Sequence, residues 1–341
     1  MLVRPNSAAK RLHWNRRLVL NGPLVQRTGE QERRIPPPVT RNGSHESVPL
    51  TRRHRLVSSS LGLVEDYWCR GANRQRAAEG HSPDFQIALP YQGLFVWHVG
   101  QDAVVGDSNQ VLFIPGGEEF HLSEPVPGAY GELIVTPSLE LLAEILRRSP
   151  SQWSSHPAFR RRRALAEPAL LLWRARALYA GRSGDWTGLA GDEALVTVLR
   201  TALAADSSMG SANGATRRLI DRTKEYVAAR LSSNLYLADV AKAVDASPAY
   251  LTDIFRKFEG LSLHRYVVQL RLARALVDLP HTNDITTLAL TLGFSSHSHF
   301  TATFRATFGC TPSAFRAQPL DGALPWQGNA SRTSAVDRAS A

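Results

Sequence analysis

The chain has 341 residues, a formal net charge of +10 at pH 7, 43% apolar residues and two cysteines. That apolar share is enough for folded cores in about two to three domains, and no run of about 18 apolar residues offers a transmembrane helix. Cys69 and Cys310 cannot form a disulfide framework or a Cys-rich zinc site, which fits a reducing cytoplasm, and the basic total points toward a polyanionic partner.

The charge is uneven: residues 1–55 carry +9, residues 56–214 carry −4 and residues 215–316 carry +5. The first segment holds Arg16-Arg17, Arg33-Arg34, Arg52-Arg53 and Pro36-Pro37-Pro38 with few sustained apolar periods, and it reads as a disordered basic tail over 1–55. Its longest early apolar run, Leu18-Val19-Leu20, is too short for a signal peptide. An Arg-rich transit peptide, or a start codon assigned too early, stays open.

Over 56–137, runs rich in β-branched and aromatic residues alternate with turn signals. Phe85–Leu89, Gly93–Val99, Val111–Ile114 and Leu133–Val135 are separated by Gly-, Pro- and Asn-containing breaks. Short strands at regular spacing predict an antiparallel barrel or sandwich. From 138 to 206 the period is helical, with Leu139, Leu142 and Leu146, then Leu165, Leu171, Leu172, Ala175 and Leu178, then Leu195, Val198, Leu199 and Leu203, and Arg160 to Arg163 form a four-arginine run between the first two groups. These stripes are expected to be exposed and to dimerise the chain. Residues 207–215 read as a Gly/Ser-rich linker, 216–318 as an all-α domain, and 319–341 as a second disordered tail.

The all-α domain contains an internal repeat. Leu237–Val244, Asp245-Ala246-Ser247 and Pro248–Phe258 with Gly260 correspond to Ile285–Leu292, Gly293–Ser296 and His297–Phe308 with Gly309. Leu237 matches Ile285, Val240 matches Leu288, Ala241 matches Ala289, Leu251 matches Phe300 and Phe255 matches Phe304. Each half is two short helices joined by a tight turn. Ser247 and Ser296 suit N-caps, Pro248 the first helical position, Gly293 a turn with positive φ, and Gly260 and Gly309 helix stops. Between the halves, Ser262 to Leu279 predicts one helix of about 27 Å, ended by Pro280. Such a spacer holds two recognition helices roughly one DNA turn apart.

Through Ser247–Lys257 and Gly293–Ser313, residues 216–318 resemble the DNA-binding domain of the AraC/XylS family of transcription regulators. The resemblance implies a multidomain chain: an N-terminal cupin-like β jelly roll that senses a small molecule, a helical dimerisation region, and a C-terminal double helix-turn-helix. It implies double-stranded DNA, a small-molecule effector, a second copy of the chain and RNA polymerase as partners, and activation as the commoner outcome. No cofactor, metal, membrane partner or enzymatic activity is expected.

Side chains near the start of each recognition helix face the groove. These are Ala249, Thr252 and Asp253 in the first unit, and His297, Ser298, Thr301 and Ala302 in the second. Asp253 can accept from cytosine N4 and Ala302 can touch a thymine methyl, but neither grips guanine as Arg would. Family members often carry Arg or Gln at these two positions. Arg256, Lys257, Arg265, Arg305 and Arg316 are candidates for phosphate contacts or for solvated helix faces. The phenylalanines Phe255, Phe258, Phe304 and Phe308 read as core.

In the β region, Tyr91, Phe95, Trp97 and Phe113 could line an effector pocket or be ordinary core, and His121 could join them. Gly116–His121 resembles the second conserved segment of cupins, but the earlier His-rich cluster of metal-binding cupins is reduced to His98. His297 and His299 are two apart on a helix and do not form a metal pair. A cupin-type metalloenzyme fused to a DNA-binding domain, and a ligand-independent DNA-architectural protein, are the alternatives.

Overall fold

The computed structural model describes residues 51–71, 78–100, 102–147, 162–183, 186, 188–204 and 214–317. Most of the expected basic tail, most of the linker and the whole C-terminal tail lie outside the described residues.

Alternating apolar and polar residues give ten strands among the described residues: β1 Thr51–Ser59, β2 Gly62–Cys69, β3 Ala78–Ser82, β4 Gln86–Gln92, β5 Phe95–Val99, β6 Asp102–Gly106, β7 Gln110–Ile114, β8 Glu118–Ser123, β9 Tyr130–Pro137 and β10 Arg163–Leu165. They form two antiparallel sheets, one in the order β1-β2-β9-β4-β7-β10 and the other β3-β8-β5-β6. The two-residue period sends successive side chains to opposite faces. One face of the larger sheet contributes Cys69, Ala88, Leu112 and Tyr130 to a cluster shared with Phe95, Trp97, Val99 and Val104 of the smaller sheet. Its other face contributes Val64, Ile87, Val111, Leu133 and Val135 to a cluster covered by helices.

Those helices are α1 Leu139–Leu146, α2 Pro168–Ser183 and α3 Leu189–Ala204. Their stripes were expected to be exposed for dimerisation. Instead Leu170, Leu171, Trp173, Leu178, Leu195, Val198 and Leu199 are buried in the same cluster as the sheet. The reason is the sheet itself: its apolar outer face must be covered, and each Leu or Val removed from water there contributes about 1.5–3 kcal/mol. Leu139 and Leu189 are the large apolar residues these helices leave exposed.

Three boundaries move. Residues 51–55, placed in the tail by composition, pair with β2 from Thr51↔Cys69 onward. Two of their arginines have partners on β2: Arg52 lies over Trp68, and Arg53 over Tyr67 with Glu65 3.7 Å away. Residues 163–165, read as helical, form β10 and supply partners to the open edge of β7 (Arg163↔Leu112). The first helix of the all-α region begins at Gly214, inside the expected linker.

That region consists of α4 Gly214–Ala229, α5 Leu237–Ala243, α6 Pro248–Glu259, α7 Leu263–Asp278, a 3-10 turn Leu279–His281, α8 Ile285–Thr291, α9 His297–Phe308 and α10 Pro312–Ala317. Helix α7 serves two cores. Leu263, Tyr266, Val267 and Leu270 pack with α4, α5 and α6. Leu272, Ala273, Ala275 and Leu276 join α8, α9, α10 and the helices over the sheet.

A buried polar network joins the sheet to the first helix-turn-helix. Glu259, the last residue of α6, is fully enclosed. Its carboxylate lies 2.9 Å from Arg163 and 2.8 Å from Lys224, and it accepts from Gln110 Nε2 at 3.2 Å. Lys224, equally enclosed, is 3.3 Å from Asp107. Asp107 also accepts from the Tyr266 hydroxyl at 2.9 Å and the Asn109 backbone N–H at 2.8 Å, while Asn109 Nδ2 donates to the Tyr266 carbonyl at 3.0 Å. Lys224 Nζ and Glu259 Oε1 have ion-pair partners but no aligned hydrogen bond among the described residues, so these charges, costly to take out of water, are held chiefly by pairing.

Two predictions follow from these interiors. Glu259→Ala leaves the buried Lys224 and the half-buried Arg163 without their carboxylate, and the expected cost is about 3–5 kcal/mol in chemical denaturation; a loss under about 1 kcal/mol would mean that the network carries little. Glu132 on β9 is buried, and desolvation raises its carboxyl to about 7, against a smaller opposing pull from Arg53. A folded-state pKa above the unfolded one makes stability greatest below the unfolded pKa and progressively lost as pH rises through about 7. Glu132→Gln should therefore gain about 3 kcal/mol over the wild type between about pH 4.5 and pH 8; parallel stability curves for the two proteins would refute this.

Candidate nucleic-acid interface

The two helix-turn-helix units are built from local signals in the chain. Ser247 caps α6 by accepting from Tyr250 N–H at 3.2 Å, with Pro248 at the first helical position, and Ser296 caps α9 by accepting from His299 N–H at 3.1 Å. Gly260 and Gly309 end these helices at φ 71° and 76°. Leu251, Phe255, Phe300 and Phe304 are fully buried, and Ala241 and Ala289 sit where each unit's helices cross. One pairing of the repeat fails. Ile285 is buried, but its counterpart Leu237 is 41% exposed, at the start of α5 beside exposed Tyr236. Helix α8 begins on Asp284, which accepts from Thr286 and Thr287 N–H, whereas Tyr236 gives α5 no side-chain cap.

Burying the phenylalanines fixes which side of each recognition helix faces outward. Ala249 and Asp253 are exposed on α6 and Thr252 is half-buried, its hydroxyl donating to the Pro248 carbonyl at 2.9 Å. On α9, His297, Ser298 and Ala302 are exposed and Thr301 is half-buried, 3.4 Å from His297 Nε2. Each set thus lies at the N-terminal end of its helix, away from the core. Arg256, Lys257, Arg265 and Arg305 are exposed around them. Arg316 is exposed too, but its guanidinium donates to the Thr282 and Asn283 carbonyls at 3.0 and 3.3 Å, so it also fastens the loop ahead of α8.

The sequence reading missed Arg271, in the middle of α7. Its Nε donates to the Leu231 carbonyl at 3.0 Å, Nη2 to the Ser233 carbonyl at 2.7 Å and Nη1 to the Gly293 carbonyl at 2.7 Å. The first two belong to the loop after α4 and the third to the turn of the second unit. An arginine on a helix otherwise read for its apolar stripe carries no local signal of such partners.

The expected effector residues fall into different places. Phe95 and Trp97 lie in the cluster between the sheets, while Tyr91 and Phe113 lie in the cluster under the helices. The Tyr91 hydroxyl donates to Asp66 at 2.7 Å. His121, on β8, stacks on His98 of β5 with ring centres 4.4 Å apart. Burial, and then His121, push the His98 imidazole below its usual range, and His98 Nε2 is 2.7 Å from Ser123 Oγ. Among the described residues, no group of three or more His, Cys, Asp or Glu is arranged to hold a metal ion.

The two turns differ in one respect that can be measured. Gly293 has φ 85°, and at the equivalent position of the first unit Asp245 has φ 58°. A residue with a Cβ is strained there. Asp245→Gly is expected to stabilise the protein by about 0.5–1 kcal/mol, seen as a rise of a few degrees in Tm; an unchanged or lower Tm would show that the aspartate offsets its own strain.

A family model described as a helix-turn-helix domain matches residues 240–318. The chain is 38% identical over 101 residues to the regulatory protein PocR of Salmonella typhimurium, covering 29% of this chain and 33% of that protein. It is 33% identical over 96 residues to the transposon Tn10 TetD protein of Escherichia coli, covering 28% of this chain and 70% of that protein. A crystal structure of a transcriptional regulator with an AraC-type DNA-binding domain, from Chromobacterium violaceum, matches 31% of this chain and 99% of its own at 32% identity, with a TM-score of 0.29. The chain spans about a third of the length of PocR. No helix among the described residues is long and apolar enough to cross a membrane. On its repeated, capped helix-turn-helix units, the match of the family model and the likeness to PocR and TetD, the chain belongs to the AraC/XylS family.

Proposed function

We propose that the protein is a sequence-specific regulator that reads a bipartite DNA site through α6 and α9, responds to a small molecule in its β domain, and activates transcription through RNA polymerase in the cytoplasm. The observation that carries this reading is the matched exposure of Ala249 and Asp253 on α6 and of His297, Ser298 and Ala302 on α9. Two helices with buried aromatic backs and free N-terminal faces suit successive major grooves. Arg256, Lys257, Arg265 and Arg305 then supply sequence-independent phosphate contacts.

For the effector, the two sheets support a cupin-like sensor over 56–137. Between them, Trp97 Nε1 is buried without a hydrogen-bond partner among the described residues. A small, partly apolar molecule with an acceptor group fits that chemistry. Dimerisation retains only Leu139 and Leu189 as exposed apolar contacts on α1 to α3, so a homodimer would rest on them or on residues elsewhere.

The test is selection from a random DNA library with the purified full chain. The expected result is a two-box motif, with Asp253→Ala changing the preference at one position of one box. Identical motifs for the two proteins would remove Asp253 from base reading. A footprint without any preferred motif would overturn the specific-regulator reading in favour of an architectural protein.

A further inference from the structure

The two helix-turn-helix units have separate cores, and the boundary falls inside α7. Leu270 belongs to the first core and Leu272 to the second. A two-box reader needs a fixed distance and angle between its recognition helices, so the joint between the two cores matters as much as the side chains on α6 and α9. Residue 271 lies at that joint.

We propose that Arg271 is the positioning residue that sets the spacing of the two recognition helices, and through it the spacing of DNA boxes that the protein accepts. This rests on the reading above that both helices contact DNA. The guanidinium grips both units at once. Leu231 and Ser233, whose carbonyls it binds at 3.0 and 2.7 Å, follow the C-terminal end of α4 in the first unit. Gly293, bound at 2.7 Å, follows the C-terminal end of α8 in the second. Helix C-termini carry partial negative charge and unsatisfied carbonyls, so one cation between two of them is held from both sides. The planar five-donor fork of arginine allows three bonds in different directions at once, which a lysine cannot reproduce.

Gly293 gives a second, independent sign that the joint is built around this side chain. A Cβ added there would stand 2.7 Å from Arg271 Nη2 and 2.8 Å from its Cζ. The glycine therefore serves the close approach of the guanidinium as well as the positive φ of the turn. The candidate base-reading side chains are exposed on α6 and α9, whereas Arg271 and Gly293 are half-buried, and the Arg271 guanidinium bonds to backbone carbonyls outside those two helices. Its effect on recognition should appear in spacing and not in base preference.

The experiment uses the full chain and duplexes carrying the two selected boxes at the preferred spacing, or with one base pair added or removed, together with duplexes carrying one box only. The wild type should discriminate among spacings. Arg271→Met should lower the ratio of preferred to altered spacing by about five- to tenfold, because the second box no longer binds at a fixed effective concentration. Single-box affinity should change less than about twofold, and Arg271→Lys should recover part of the ratio. A folded Arg271→Met protein with the wild-type ratio would overturn the proposal. If that variant does not fold, Gly293→Ala, which displaces the guanidinium, decides by the same ratio. A wild type that binds its boxes without any spacing preference overturns the two-helix reading and the proposal with it; discrimination by the wild type with no change in the variants overturns the proposal alone.

Discussion

Glu259 is the residue on which the arrangement of the described chain turns. It ends α6, yet it is enclosed, paired with Lys224 from α4 and with Arg163 from the edge of the larger sheet. Through Lys224 the same network reaches Asp107, and through Asp107 it reaches Tyr266 on α7. Five segments, the β6–β7 turn, β10, α4, α6 and α7, are thus held by groups that cannot separate without exposing or stranding one another. A buried ion pair adds little stability over a well-packed apolar contact, but removing one member is costly. Such a network therefore specifies an arrangement more than it strengthens one. Here it specifies that the first helix-turn-helix rests on the β domain.

The second helix-turn-helix is attached by different physics. Its core phenylalanines, Phe300, Phe304, Phe308 and Phe315, share one continuous apolar cluster with α2, α3 and the outer face of the larger sheet. One recognition unit is thus joined to the sheet by polar groups and the other by apolar contact. Polar contacts respond to charge and to pH, whereas apolar burial is non-directional and scales with area. The two helix-turn-helix units are coupled to the β domain in unlike ways, with α7 as the shared strut between them.

Much of the helix-turn-helix half was legible in the sequence because its determinants are local. A serine followed by a proline or a histidine begins a helix, a glycine ends it, and an aromatic every four residues marks its inward face. Ser247, Pro248, Gly260, Ser296 and Gly309 all act where the pattern placed them. The repeat misled only at Leu237, whose match to Ile285 is one of residue type and not of burial. The presence of β strands between residues 85 and 135 was legible for the same reason, by alternation and turns.

By itself the sequence determined the helix-turn-helix repeat, its caps and stops, its outward-facing residues and the antiparallel character of the β region, since each depends on neighbours within a few positions. Only the tertiary structure decided what covers what. The stripes of α2 and α3 look the same in sequence whether they meet a second chain or the chain's own sheet, and here the sheet takes them. Arg163 reads as one of four consecutive arginines until β10 pairs with β7 and Glu259 arrives beside it. Phe95 and Phe113 read as one pocket until the pleat sends them to opposite sides of the larger sheet. Arg271 is silent until two helix ends meet at its guanidinium. In each case the partner is far along the chain, and local propensity holds no record of contacts closed at that distance.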